Sequence, residues 1–278
     1  MSSKKVFNGL LHVPETLVKH RFKAIFYPDA SGAVVLARIQ EFSTPVFTDR
    51  GWVPEDDSSR SCYPLPMLSN DPHNIERATR RARKLAADLV GCNPELHWFV
   101  TLTFSPDCVK DKGDFSECYK LLKVFLSNAV ERRGLAYLGT VERTKAGDIH
   151  FHFLFNDGMR YTLSNNPHTN KPVELNGMTV YNLPGWRWGF TTAQNLDDEG
   201  GDRDRAAAYI LKYITKDRPT DAGGRYIYKG GSLREPLAVC GDSLSDFDID
   251  PATAPLFEKE IDGTALVYRE YSFGKPKK

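Results

Sequence analysis

The clearest hydrophobic pattern along the chain is the strict alternation DIHFHFLF at 148–155. Side chains of a strand point alternately to its two faces, so this pattern predicts a strand with one apolar face. That face carries Ile149, Phe151, Phe153 and Phe155. The other face carries His150 and His152, whose Cβ atoms lie about 6.6–7 Å apart in an extended chain. Two imidazoles at this spacing can bind one metal ion.

A short turn joins this strand to the preceding one, LAYLGTVERT at 135–144. If residues 145–147 form a three-residue loop, Gly147 takes the left-handed conformation that such loops favour. Counting outward from the loop then places Glu142 opposite His150, on the same face as both histidines. A carboxylate with His150 and His152 forms a two-histidine, one-carboxylate metal site with open positions. The alternative is that both histidines are polar positions on a solvated strand face.

Apolar residues at helical spacing predict three helices. The first begins at Asp71-Pro72 and ends near Gly91. The second begins at Asp114, with Glu117 in capping-box spacing, and ends at Gly134. The third contains residues 205–216. Further strands are predicted at 24–28, 33–42, 97–104 and 225–231.

The third helix carries two stripes that point in nearly opposite directions. Its apolar stripe is Ala207, Ile210, Leu211 and Ile214, and its polar stripe is Tyr209, Lys212, Tyr213 and Lys216. A phenol attacks poorly at neutral pH because its reference pKa is about 10, and adjacent ammonium groups favour the phenolate. The polar stripe therefore offers two activated nucleophiles. The alternative is an amphipathic helix whose tyrosines are half-buried against a neighbour.

Composition narrows these choices only slightly. The 278-residue chain has a formal net charge of +1, so any nucleic acid must be bound by local basic patches. One such patch is the exposed side of the first helix, with Arg77, Arg80, Arg81 and Lys84. Five cysteines without a C-x-x-C pair, and no long apolar stretch, predict a soluble cytoplasmic protein. A cysteine-ligated zinc site is disfavoured because no cysteine has suitable spacing to the histidines.

Three motifs occur in a characteristic order: FVTLTF at 99–104, the His150-Phe151-His152 pair, and the segment YILKYITK at 209–216. In this order they resemble the HUH endonucleases. The similarity is closest to the two-tyrosine replication initiators of small single-stranded DNA phages and rolling-circle plasmids. GRYIYKGGSLREPL at 224–237 also resembles the segment that follows the tyrosine helix in these initiators.

The resemblance implies an α+β fold with a central antiparallel β-sheet flanked by helices, a ferredoxin-like palm. We expect this endonuclease domain over residues 72–240. An N-terminal, β-rich extension over residues 1–71 has no assigned role, and residues 241–278 form an acidic C-terminal tail.

The resemblance also implies an activity, namely nicking and rejoining of single-stranded DNA with a 5′-phosphotyrosine intermediate and a free 3′-OH. Tyr209 and Tyr213 would be the nucleophiles, assisted by Lys212 and Lys216. Mg²⁺ or Mn²⁺ would be held by Glu142, His150 and His152. The expected partners are single-stranded DNA at a replication origin, a host helicase and a host polymerase, in the cytoplasm of a bacterial cell and with no membrane. A host helicase is expected because the sequence has no phosphate-binding G-x-x-x-x-G-K-[ST] motif.

Three other functions stay open at this stage. An HUH transposase or relaxase would share the chemistry, and a metal-dependent hydrolase would use water instead of tyrosine. A non-catalytic module would bind single-stranded nucleic acid through aromatic side chains. Two runs suit such contacts or ordinary core packing, namely Trp186, Trp188 and Phe190, and Tyr226, Tyr228 and Lys229.

Overall fold

The computed structural model describes residues 5–7, 10–12, 18–29, 31–48, 72–198, 208, 210, 212, 221–222, 225–261 and 266–273. The chain divides into two compact units. One unit is Pro64–Arg234, and the other consists of Met1–Tyr63 together with Glu235–Lys278. The domain boundaries expected after residues 71 and 240 stay predictions.

Helices and strands follow the order that the patterns predict. Four strands come first: β1 (Lys5–Phe7), β2 (Leu10–His12), β3 (Val18–Pro28) and β4 (Val34–Thr48). The Pro64–Arg234 unit contains α1 (Pro72–Cys92), β5 (Trp98–Leu102), α2 (Phe115–Arg133), β6 (Tyr137–Arg143), β7 (Ile149–Phe155), β8 (Thr162–Leu163), β9 (Glu174–Leu175), β10 (Met178–Thr179), β11 (Tyr181–Asn182), β12 (Thr191–Asn195) and β13 (Tyr228–Gly230). Then follow β14 (Leu237–Gly241), a 3₁₀ helix (Leu244–Phe247), β15 (Phe257–Ile261) and β16 (Leu266–Ser272).

The Pro64–Arg234 unit is built on an antiparallel sheet whose described strands run in the order β13-β6-β7-β5-β12-β11-β8. One face packs against α2 in an apolar cluster that includes Val100, Leu102, Phe151 and Phe153. The opposite face contributes Phe99, Leu138 and Leu154 to a second cluster, together with alanines of α1. Helices thus cover both faces of a central antiparallel sheet, which confirms the predicted α+β class.

Local sequence signals account for the ends of α2. The Asp114 side chain accepts hydrogen bonds from the backbone N–H groups of Ser116 (2.8 Å) and Glu117 (3.2 Å), and Gly134 ends the helix in the left-handed conformation. The capping box is only half formed. Glu117 instead accepts from the backbone of Lys110, so it ties the preceding loop to the helix.

The other unit is built on a sheet in the order β14-β3-β4-β16-β15, all antiparallel. Its strands come from both ends of the chain, including the segment that the sequence marks as an acidic tail. Acidic residues of that segment are paired here, because Arg269 bridges Glu41 and Glu258. In the described part of the chain, no helix has the length and apolar character needed to cross a membrane.

Candidate active site

The β6-β7 hairpin has the predicted register. Glu142 lies directly opposite His150 on the neighbouring strand. The loop closes through a hydrogen bond from the Thr144 N–H to the Asp148 carbonyl (2.9 Å). Gly147 has a φ of 94°, the left-handed conformation that the three-residue loop requires. A short loop with its glycine in the demanded position therefore fixes which side chains face each other.

Glu142 and His152 are joined by a hydrogen bond between Oε2 and Nε2, at 2.8 Å. Both side chains are buried, with Glu142 8% and His152 4% exposed. A buried carboxylate or imidazole is costly unless it is hydrogen-bonded, so the two groups stabilise each other's position. The histidine face is therefore not a solvated strand face at this point.

Thr101 completes the surroundings of His152. It lies opposite His152 on β5, and its Oγ1 is 3.1 Å from Nδ1 of the ring. The Phe99 ring stacks parallel to the imidazole, with centroids 6.0 Å apart. A partner on the second ring nitrogen fixes both the orientation and the tautomer of a histidine. Thr101 is thus a positioning residue for His152.

Sequence reasoning gave Thr101 no role, although it placed Thr101 and Thr103 on one side of their strand. The missing information was the pairing of β5 with β7. No short loop joins these two strands, so their register does not follow from counting residues.

His150 lies apart from the other two side chains. Its ring centroid is 6.5 Å from that of His152, and it is half-buried. Burial, reinforced by the neighbouring His152, lowers the pKa of His150 below its ordinary value. A lowered pKa keeps the imidazole neutral at neutral pH, with a lone pair available to a cation.

The donor chemistry of these three residues fits a divalent cation. Two imidazole nitrogens and one carboxylate oxygen share one face of neighbouring strands, which is the set found in sites with open positions. As placed, however, the side chains do not surround a common point. No group of three histidine, cysteine or acidic side chains within the described ranges is arranged to hold an ion. Glu142 and His152 bond to each other, and His150 would have to turn toward them.

The tyrosine segment is described at three positions only. Ala208, Ile210 and Lys212 are helical, and Lys212 is exposed. Ile210 is completely buried in the cluster that contains Leu138 and Leu154, two residues of the histidine face. The predicted anchoring stripe is therefore confirmed at Ile210. Tyr209, Tyr213 and Lys216 lie outside the described residues, and their roles stay predictions.

Comparison with known families adds an independent observation. Residues 97–218 match the family model of the replication-associated protein ORF2. The match identifies a replication initiator of the rolling-circle, HUH type. It covers less than half of the chain, from the residue before β5 to just beyond Lys216, and includes every predicted site residue. No curated protein and no solved structure matches the chain.

The aromatic runs of this initiator divide into buried and exposed members. Trp186 is buried in the α2 cluster, and its Nε1 donates to the Thr103 carbonyl (2.9 Å). Tyr226 and Tyr228 are also buried, so core packing accounts for them. Phe190 differs, because its side chain is 75% exposed.

Proposed function

We propose that this replication initiator nicks and rejoins single-stranded DNA at an origin, with a tyrosine of residues 209–216 as the nucleophile. Glu142, His150 and His152 would hold the divalent cation, Mg²⁺ or Mn²⁺. When bound, such a cation supplies a Lewis acid that stabilises charge on the non-bridging phosphate oxygens.

The observation that carries this proposal is the face shared by two parts of the molecule. Glu142, His150 and His152 lie on one face of the sheet, as the strand register shows. Ile210 is buried against apolar residues of that same face. A helix anchored there through Ile210 lies beside the imidazoles, as a tyrosine nucleophile on that helix requires.

The chemistry is a transesterification. The phenol oxygen of Tyr209 or Tyr213 attacks phosphorus in line, and the bond between phosphorus and the 3′ oxygen breaks. The phenolic proton is released, and the departing oxygen takes up a proton to become a 3′-OH. The DNA stays attached through a 5′-phosphotyrosine ester, and the 3′-OH can prime synthesis. One ester replaces another, so the reverse attack rejoins the strand.

Lys212 and Lys216 each follow a tyrosine by three residues, on the same side of the predicted helix. An ammonium group near a phenol lowers the pKa of that phenol and raises the fraction of phenolate. The same charge can bind a phosphate oxygen. Two tyrosines one helical turn apart would cut in alternate rounds, the second at the regenerated origin.

Unwinding and synthesis are assigned to partners. The sequence contains no phosphate-binding motif of ATP-driven helicases, so a helicase of the bacterial host would open the duplex. A host polymerase would extend the 3′-OH. Both steps take place in the cytoplasm.

A denaturing gel tests this proposal. The protein is incubated with labelled, origin-containing single-stranded DNA and Mn²⁺. We expect a covalent protein-DNA band that EDTA prevents, that persists in Tyr209→Phe or Tyr213→Phe, and that disappears in the double variant. Cleaved DNA with both ends unattached would instead indicate a hydrolase that uses water. Binding that ignores EDTA and yields no cleaved product would indicate a non-catalytic module.

A further inference from the structure

Phe190 combines an exposed ring with a firmly held backbone. Its side chain is 75% exposed. Its carbonyl accepts from the Thr103 N–H (3.0 Å) and from the Thr103 Oγ1 hydroxyl (2.9 Å), and its own N–H bonds to that hydroxyl oxygen (3.2 Å). Water surrounds most of the ring, while three hydrogen bonds to one residue fix where the ring begins.

The segment before Phe190 is equally constrained. A Cβ atom on Gly189 would lie 2.2 Å from the Thr103 carbonyl oxygen and 2.7 Å from the Phe104 Cα. The Trp188 carbonyl accepts from the Ser105 N–H at 2.8 Å. The backbone here approaches the end of β5 so closely that only glycine fits. The exposed ring therefore stands on a rigid support.

Strand alternation places this ring on the histidine face. In the β12-β5 pair, Thr192 lies opposite Thr101, the residue that bonds to His152. Thr192 and Thr101 thus share the face of His152. Phe190 precedes Thr192 by two residues, so its side chain leaves β12 toward the same side.

This part of the face is close to the proposed site and open to solvent. β12 lies two strands away from β7 in the sheet, which corresponds to about 10 Å at the usual strand spacing. Thr192 is exposed, and Thr101 and Thr103 are partly exposed. Elsewhere the same face is covered by α1, where Phe99 and Leu154 are buried.

We propose that Phe190 is a stacking platform for an unpaired base of the DNA strand, near the scissile phosphate. This inference rests on the proposed function. A single rigid aromatic ring beside threonine hydroxyls suits the flat face of a nucleobase, whereas a protein partner would need a contiguous apolar patch. Because the support is rigid, little conformational freedom is lost when the base stacks.

The stacking role is tested by binding, separately from cleavage. Variants at Phe190 are made in the Tyr209→Phe/Tyr213→Phe background, and the probe is a fluorescein-labelled, mixed-sequence single-stranded oligonucleotide measured by anisotropy. We expect Phe190→Ala to weaken binding roughly 5- to 150-fold, the range for loss of one stacked base. Phe190→Trp should keep the affinity of the parent, and Phe190→Leu should not. Phe257→Ala removes a 48% exposed phenylalanine of the other unit and should bind as the parent does.

The outcomes separate this inference from the nicking proposal. If Phe190→Ala or Phe190→Leu binds as tightly as the parent, the stacking role is wrong even where the wild-type chain forms adducts. If the wild type forms no adduct but Phe190→Ala still weakens binding and Phe190→Trp restores it, the stacking role holds and the nicking proposal fails. Phe190 is exposed, so an unchanged unfolding temperature should show that each variant remains folded.

Discussion

A hydrogen bond of 2.8 Å joins Nε2 of His152 to Oε2 of Glu142 across the β6-β7 hairpin. Both atoms belong to groups that bind divalent cations, and both are buried on the face to which Ile210 is anchored. The shared position of a proton between an imidazole and a carboxylate is one that a cation can take. This relationship generates the first prediction.

Glu142→Gln should abolish most Mn²⁺ binding. The amide keeps the size of the carboxylate and can still bond to His152, but it removes the negative charge. Changes outside the direct ligands already weaken metal affinity by about 10- to 100-fold, so loss of a charged ligand should cost at least as much. Isothermal titration with Mn²⁺ measures this loss. Glu131→Gln, on the exposed side of α2, is the matched control and should bind Mn²⁺ as the wild type does.

Thr101 should act through His152. Thr101→Val removes the hydroxyl at Nδ1 while keeping the shape of the side chain, so the ring loses its orienting partner. We expect about 10- to 100-fold weaker Mn²⁺ binding, with recovery in Thr101→Ser. Thr192→Val, on the same face, should change nothing in the titration. A Thr101→Val protein with wild-type Mn²⁺ affinity would show that the contact is only structural.

Lys212 should set the pH at which the adduct forms. Removing its ammonium in Lys212→Ala raises the pKa of the adjacent phenol, so the phenolate fraction falls at neutral pH and recovers at higher pH. Each unit of pKa lowers the phenolate fraction about tenfold. The pH profile of single-turnover adduct formation should therefore shift toward alkaline values. Lys123→Ala, exposed on α2, should leave the profile in place; an unshifted profile for Lys212→Ala would exclude this role.

Gly139 should be essential for packing rather than for chemistry. A Cβ atom there would lie 2.0 Å from Cδ1 of Phe153, inside the α2 cluster. Gly139→Ala should lower the free energy of unfolding by about 1–3 kcal/mol, the usual cost of overpacking. Thermal unfolding without metal measures this change. Gly185→Ala is the control, because its nearest contact is the flexible end of Met159 at 3.3 Å; equal effects of both substitutions would contradict the overpacking explanation.

The hairpin was predictable because its register depends on local signals alone. A short loop and Gly147 determine that Glu142 faces His150, and alternation assigns the faces. Contacts between distant segments were not predictable in this way. Thr101 bonds to His152 across 51 positions of sequence, and pairing of β4 with β16 joins opposite ends of the chain. Exposure also needed the fold, since nothing in the sequence separates the buried Trp186 from the exposed Phe190.

The central claim is that a tyrosine of residues 209–216 becomes covalently bonded to DNA beside the Glu142 and His152 pair. The most direct measurement is mass spectrometry of the adduct after nuclease trimming and proteolysis. The account predicts a peptide with a 5′-linked nucleotide on Tyr209 or Tyr213, formed by the wild type with Mn²⁺ and absent from Glu142→Gln. Attachment at a residue outside this pair of tyrosines, or DNA cleaved by the wild type with a free 5′-phosphate and no attached peptide, would contradict it.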